Sequence, residues 1–278
     1  MTLPFTKMNG AGNDFVLVDN RTGTLALDQP TIARLCDRHR GIGADGLLAV
    51  EPAQQGAHYR MRYYNADGGE VEMCGNGARC FARFVNRLHG FTLPSVRFET
   101  IAGTIGAEFQ NERVMLRMSD PHSLALNLRL PVGGRDLTVH SLNTGVPHAV
   151  VFVEDLESID IRGDGAGLRY HPHFAPKGTN ANFVQVLAPS QISIRTYERG
   201  VEDETLACGT GTVACAIIHH LLQGAPAPVK VRVRGGDTLT IGFSVRPDGS
   251  LHEVTLTGPG DFVFDGTIDF HPASTYAE

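Results

Sequence analysis

The sequence predicts an α+β fold of two similar halves, each a curved, mostly antiparallel sheet or barrel wrapped around one buried central helix. Three observations predict it. A cysteine-glycine motif recurs at a fixed offset of 134 residues, which aligns Tyr63 with Tyr197, Glu70 with Glu204, Cys74 with Cys208, Gly75 with Gly209 and Gly77 with Gly211. Each of these cysteines opens a stretch that is apolar on nearly all sides, the mark of a buried helix rather than an amphipathic one. Each stretch is followed by a series of alternating strands.

In chain order, residues 13–18 read as a strand that resembles residues 181–186. That offset is 168 residues, which implies an insertion between strand and cysteine in the first half. A helix over 31–40 is the candidate insertion, with Pro30 at its start, where a missing N–H costs nothing. The central helix of the first half runs from Cys74 through Ala78, Phe81, Ala82, Val85 and Leu88 to Gly90. Strands are expected at 96–100, 104–109 and 114–118. The second central helix runs from Cys208 through Val213, Ala214, Ile217 and Leu221 to Gly224. Gly90 and Gly224 share the same offset and sit where a left-handed C-cap belongs. Strands then follow at 229–233, 238–243 and 254–257. The halves end near Pro121 and Pro259. Residues 1–121 with 262–278 therefore form the first half and 122–261 the second, with the active site expected in the cleft between them.

Composition narrows the function. A net charge of −6 argues against a nucleic-acid partner. No apolar run reaches the roughly 18–20 residues that span a bilayer, so no membrane role is expected. Residues 1–18 lack the basic and apolar regions of a secretory signal. Five cysteines, an odd number, do not suggest a disulfide framework, so a reducing cytoplasm is the expected location. Glycine is the one oddity: 32 of 278 residues, where a typical chain has about 7%. Glycines in such excess belong in turns or where backbone approaches a ligand closely.

A cysteine just before Gly-x-Gly at a helix start has a chemical consequence. The helix N-terminus carries partial positive charge and N–H groups without intrahelical acceptors. Both favour thiolate over thiol and lower the pKa from its free value of about 8.5. The same N–H groups can hold a carboxylate. Each half thus offers an activated thiol beside an anion site. If two such halves face one another, one thiolate can remove a proton from a bound α-carbon while the opposite thiol delivers one to the other face. That scheme inverts a stereocentre and calls for no cofactor and no metal.

The motifs Gly12-Asn13-Asp14-Phe15, Arg40-Gly41-Ile42-Gly43-Ala44-Asp45-Gly46, Tyr64-Asn65-Ala66-Asp67-Gly68, Met73-Cys74-Gly75-Asn76-Gly77-Ala78-Arg79-Cys80, and Tyr197-Glu198-Arg199-Gly200 through Ala207-Cys208-Gly209-Thr210-Gly211 resemble diaminopimelate epimerase over nearly the whole chain. The resemblance implies a cofactor-independent, two-base isomerase with two pseudo-symmetric domains. Its members interconvert LL- and meso-diaminopimelate in lysine and peptidoglycan-precursor synthesis. Carried over residue by residue, it makes Cys74 and Cys208 the acid/base pair. Gly75-Asn76 and Gly209-Thr210 would hold the reacting carboxylate, and Asn13, Asn65, Asn180, Glu198 and Arg199 the rest of the substrate. His148 matches a histidine that tunes the thiols, a part also open to Glu198. The substrate's charges suit this set, since Arg199 can grip a carboxylate with a bidentate fork and Glu198 can accept from an ammonium. Two departures bear on the distal end: Val146 stands where many members have an asparagine, and Gly46 where some have a glutamine. A homodimer is a possible form.

Competing readings are weaker. Residues 209–214 match a dinucleotide fingerprint, but the acidic segment before them is no buried strand and no acidic residue follows about twenty positions on. Cys74 and Cys80 lie about 240° apart around a helix, and Cys208 and Cys215 about 10 Å apart along one, so neither pair suits a metal. Cys36, Cys80 and Cys215 fit apolar helical patterns and read as packed thiols. The alternative activity is a proline or hydroxyproline racemase on the same scaffold. Its ring substrate would leave Glu198 and Arg199 without a distal ammonium and carboxylate.

Overall fold

The computed structural model describes residues 2–269. The chain forms two compact units, Met1–Leu116 with Gly258–Glu278, and Arg117–Thr257.

In the first unit β1 (Thr2–Gly10) and β2 (Asn13–Asp19) form a hairpin. Helix α1 (Gln29–Cys36) then carries the chain over, so that β3 (Gly46–Pro52) lies parallel to β2. Strand β4 (Tyr59–Asn65) returns antiparallel to β3 and leads to the central helix α2 (Gly75–Leu88). After α2, β5 (Ser95–Thr100) pairs parallel with β4, and β6 (Gly103–Gln110) and β7 (Arg113–Arg117) continue antiparallel. Two glycines in the first turn of α2 cost it about 1 kcal/mol each against alanine. Burial outweighs that: Phe81 and Phe84 are covered, at about 1.5–3 kcal/mol per side chain. The Phe81 ring lies 4.8 Å from that of Phe98 on β5. Even Arg79 is fully buried, its guanidinium donating to the carbonyls of Gly10, Gly75 and Pro259 and to Asn76 Oδ1.

The second unit contains β8 (His122–Val132), β9 (Arg135–Asn143) and β10 (Pro147–Phe152), each antiparallel to the last. Helix α3 (Ile161–Arg169) and a short turn of 3₁₀ helix lead to β11 (Asn180–Ala188), which is parallel to β10. Strands β12 (Gln191–Glu198) and β13 (Asp203–Thr205) precede the central helix α4 (Gly209–Gln223). Beyond it β14 (Val229–Arg232) pairs parallel with β12, and β15 (Thr238–Val245) and β16 (Leu251–Pro259) complete the sheet. Val213 to Ile218 on α4 have no exposed surface on any side. Gly224 caps the helix at φ 66° and Gly90 follows α2 at φ 65°. Strand β17 (Asp261–Asp269) pairs with β1 of the first unit, as β8 pairs with β9 of the second. Both units are thus curved but unclosed sheets around one helix.

The structure corrects the expected insertion. Strand, crossover helix and parallel strand recur in both units, and β3 begins at Gly46 and β11 at Asn180, again 134 residues apart. The true counterpart of β2 is β10, not β11. The apparent match at 168 arose because both strands are short, mostly apolar runs, and strands covered on both faces resemble one another whatever their place in the fold. The first helix also stops early, at Cys36 rather than residue 40. The Asp37 carboxylate accepts the N–H groups of His39 and Arg40, and so offers the backbone an alternative to the helix. The unit boundaries fall a few residues before the expected ones. Met118 N–H already donates to Val254 O in the second unit, and Arg79 ties Pro259 to the first. Residues 270–278 of the expected returning segment lie outside the described residues.

Candidate active site

In the first unit Cys74 is the N-cap of α2, half-buried, with extended backbone (φ −134°, ψ 124°). Its side chain makes no capping hydrogen bond, and its carbonyl accepts the N–H of Ala78 to begin the helix. Gly75 and Asn76 form the first turn. Asn76 is polarised from both ends: Oδ1 accepts from Arg79, while Nδ2 donates to Asn13 Oδ1 at 2.6 Å. Asn13 Nδ2 passes the chain on to Asp45 Oδ2 at 3.0 Å. Asp45 in turn meets Arg38, which also grips Asp14 beside Lys7. Burial pushes the Asp14 carboxyl up, but the bonds from Arg38 and Lys7 outweigh it and hold the group down at about 2. Asn65 is exposed at the end of β4, where its backbone closes a turn with Gly68 and Gly69.

In the second unit Cys208 caps α4 in the same way, again without a side-chain cap, and is 6% exposed. Its sulfur lies 3.7 Å from Thr210 Oγ1. That hydroxyl is 3.0 Å from His148 Nε2, and His148 Nδ1 is 3.2 Å from Asn182 Nδ2. Asn182 also donates to Ala149 O and accepts from Thr196 Oγ1. Thr144 Oγ1 pins the Thr210 carbonyl at 2.9 Å. His148 has no exposed surface; burial first, and the charge of Arg199 second, bring it down to about 3, so the imidazole is neutral at ordinary pH. A side chain at Gly211 would fill the space this network occupies: its Cβ would stand 2.4 Å from Asn182 Oδ1 and 3.3 Å from Cys208 Sγ.

Other expected residues take different parts. Asn180 is buried, donating to Pro147 O and accepting the backbone N–H of Arg199 at 2.8 Å, so its amide holds the Arg199 backbone in place. The half-buried guanidinium of Arg199 makes no ion pair among the described residues. Burial raises the Glu198 carboxyl, and a bond from Thr205 Oγ1 at 2.8 Å offsets part of that rise. At Gly46 a Cβ would meet Tyr64 O at 2.4 Å, so a side chain here would require the backbone to shift. Val146 is half-buried in the turn before β10.

The remaining thiols are buried within helices. Burial pushes Cys36 and Cys80 up to about 12, and burial with the neighbouring Cys208 raises Cys215 well above its ordinary value. They are packing groups. Among the described residues no cluster of three metal-ligating side chains exists. Asn182, Thr196, Thr144 and Arg79 were not singled out from the sequence. The signal was there for Asn182, because an asparagine within an apolar strand buried on both faces must find partners.

The sequence profile of the diaminopimelate epimerase family matches residues 5–123 and 140–260. A diaminopimelate epimerase of Aquifex aeolicus is 42% identical over 278 residues, covering 96% of this chain and 98% of its own. One from Chlorobaculum tepidum is 42% identical over 265 residues, covering 94% and 99%. Among solved structures, a Bacillus anthracis phenazine biosynthesis protein of the PhzF family superposes with a TM-score of 0.72 at 15% identity, over 97% of this chain and 100% of its own. A hydroxyproline epimerase from Agrobacterium vitis gives 0.69 at 17%, over 96% and 92%. These last two likenesses speak to the fold alone.

Proposed function

The chain belongs to the diaminopimelate epimerase family and is an isomerase interconverting LL- and meso-diaminopimelate; we propose that it works with Cys74 and Cys208 as opposed acid and base, without a cofactor. One thiolate takes the α-proton, the C–H electron pair passes into the carboxylate as an enediolate-like state, and the other thiol gives its proton to the opposite face. The proton acceptor has become a thiol and the donor a thiolate, so the enzyme is set for the reverse reaction. The observation that carries this reading is the matched placement of two cysteines as N-caps of the two central helices.

The obstacle is the weak acidity of an amino-acid α-proton; each pKa unit of mismatch costs about 1.36 kcal/mol. Helix-end donors at Gly75, Asn76, Gly209 and Thr210 aimed at the carboxylate oppose that cost, at roughly 2.7–4 kcal/mol per well-placed donor. The amides of Asn13 and Asn76 are locked in a fixed orientation between Arg79 and Asp45. Arg199, with no ion pair among the described residues, suits the distal carboxylate, and Glu198 and Asn65 the distal ammonium. Asn180 serves by placing Arg199. The proline or hydroxyproline alternative rests on fold likeness at 17% identity.

A cytoplasmic location accords with five free cysteines. For a homodimer, Val263 and Phe264 stand exposed on β17, apolar surface of the kind a second copy covers. The test of the reaction is incubation of LL-diaminopimelate in deuterated water with enzyme alone. One deuteron is expected at the inverted α-carbon of the product. Product that keeps its protium would exclude a solvent-exchanging thiol as the donor.

A further inference from the structure

The hydrogen bonds behind Cys208 have a direction. Ala149 O can only accept, so the side-chain atom of Asn182 at 2.9 Å from it is the NH2 nitrogen. The carbonyl oxygen of the same amide faces the Thr196 hydroxyl at 3.0 Å, which agrees. The second hydrogen of that nitrogen points at His148 Nδ1, 3.2 Å away. An imidazole that accepts at Nδ1 and is neutral carries its one proton on Nε2. Nε2–H then donates to Thr210 Oγ1, and the hydroxyl hydrogen is left to point at Cys208 Sγ.

We propose that Asn182 is a positioning residue that fixes His148 as its Nε2–H tautomer and thereby aims the Thr210 hydroxyl proton at the Cys208 sulfur. The proposal rests on the reading of Cys208 as a reacting thiol. In the other tautomer two donors would face each other at Nδ1, and Nε2 would pull the Thr210 proton away from sulfur. The thiolate would lose the Thr210 hydroxyl as a donor just when charge gathers on it. Asn182 is linked to the sulfur through His148 and Thr210, and it acts through those two groups. The corresponding position in the first unit is Leu48 on β3, with Asp14 and Asn76 where the second unit has His148 and Thr210. The device therefore belongs to one thiol only. The titratable groups that bear on it are Arg199, whose charge disfavours imidazolium, and Cys215 on α4, held as a neutral thiol by burial.

The test needs the wild-type enzyme labelled with ¹⁵N-histidine and the Asn182→Ala variant. Two-bond ¹H–¹⁵N spectra of His148, assigned by loss of its signals in His148→Gln, report the tautomer directly. Wild type is expected to show protonated Nε2 and bare Nδ1 throughout pH 6–9. In Asn182→Ala the tautomers should mix, and the acidic limb of kcat/KM should move up by about one pH unit. A roughly tenfold fall in kcat should accompany it, with KM little changed, as for loss of one donor to a charged group. A wild-type spectrum with protonated Nδ1, or with imidazolium, overturns the proposal without any variant. So does a folded Asn182→Ala enzyme whose tautomer and pH limb match wild type. Inversion that survives in Cys208→Ala would instead overturn the underlying reading of the thiol, whatever the tautomer.

Discussion

Gly211→Ala and its counterpart Gly77→Ala make one substitution at equivalent positions of the two central helices, and the structure predicts opposite results. Neither glycine has a positive φ, so alanine should help both helices by about 0.5–1 kcal/mol through backbone entropy. At Gly77 the added Cβ meets only Leu48 and Phe15 carbons at 3.5 Å, ordinary contact. Gly77→Ala should therefore be neutral or slightly stabilising. At Gly211 the Cβ would stand 2.4 Å from Asn182 Oδ1. Asn182 has no exposed surface and is held by Ala149, His148 and Thr196, so it cannot swing aside without breaking at least one buried hydrogen bond. A buried polar group left unpaired costs about 1–3 kcal/mol, and overpacking a similar amount. The clash wins: Gly211→Ala should lose about 1–3 kcal/mol net, seen as a Tm lower by roughly 2–4 °C per kcal/mol. Activity should fall with it as the Cys208 sulfur and His148 ring, each 3.3 Å from the new carbon, are displaced. Urea unfolding and calorimetry on both variants suffice. If Gly211→Ala is as stable as Gly77→Ala and fully active, the network behind Cys208 is not packed as described.

Other consequences follow from the same structure. Cys74→Ala and Cys208→Ala should each abolish inversion while leaving the melting temperature and substrate binding near wild type, measured by calorimetry and titration of diaminopimelate. Arg199→Lys keeps the charge but loses the planar fork, and should raise KM for diaminopimelate roughly tenfold with a smaller effect on kcat in steady-state assays. Asp14 has a folded pKa of about 2 against an ordinary 3.8. Its contribution to stability is therefore complete above pH 3.8 and lost as pH falls through about 2. Asp14→Asn should be less stable than wild type by about 1–2 kcal/mol at pH 7, the side chain being partly solvent-screened. That gap should close between pH 4 and 2 in urea midpoints.

The duplication was legible because it is carried by residues with few substitutes. Cysteine followed by Gly-x-Gly at a helix start is rare enough that its recurrence at 134 residues located both central helices, both caps and both thiols. Strand equivalence was not legible in the same way. Phe15-Val16-Leu17-Val18 and Phe183-Val184-Gln185-Val186 are both short, mostly apolar stretches of strand, and only the ladders show that β2 corresponds to β10. The early end of α1 depended on one carboxylate, Asp37, competing for two backbone N–H groups. The buried amide network was the least readable. Asn182 stands between Ala181 and Phe183 in a strand whose two faces are both covered. Whether its amide meets solvent or His148 is decided by β10, more than thirty residues earlier in the chain.

The claim at the centre is that the two cysteines work on opposite faces of one α-carbon. Solvent exchange by the single variants tests it most directly. In deuterated water, Cys74→Ala and Cys208→Ala should each exchange the α-proton of one isomer without inverting it, LL-diaminopimelate with one variant and meso-diaminopimelate with the other. If both variants exchange the same isomer, or if either still converts one isomer to the other, the opposed-thiol account is contradicted.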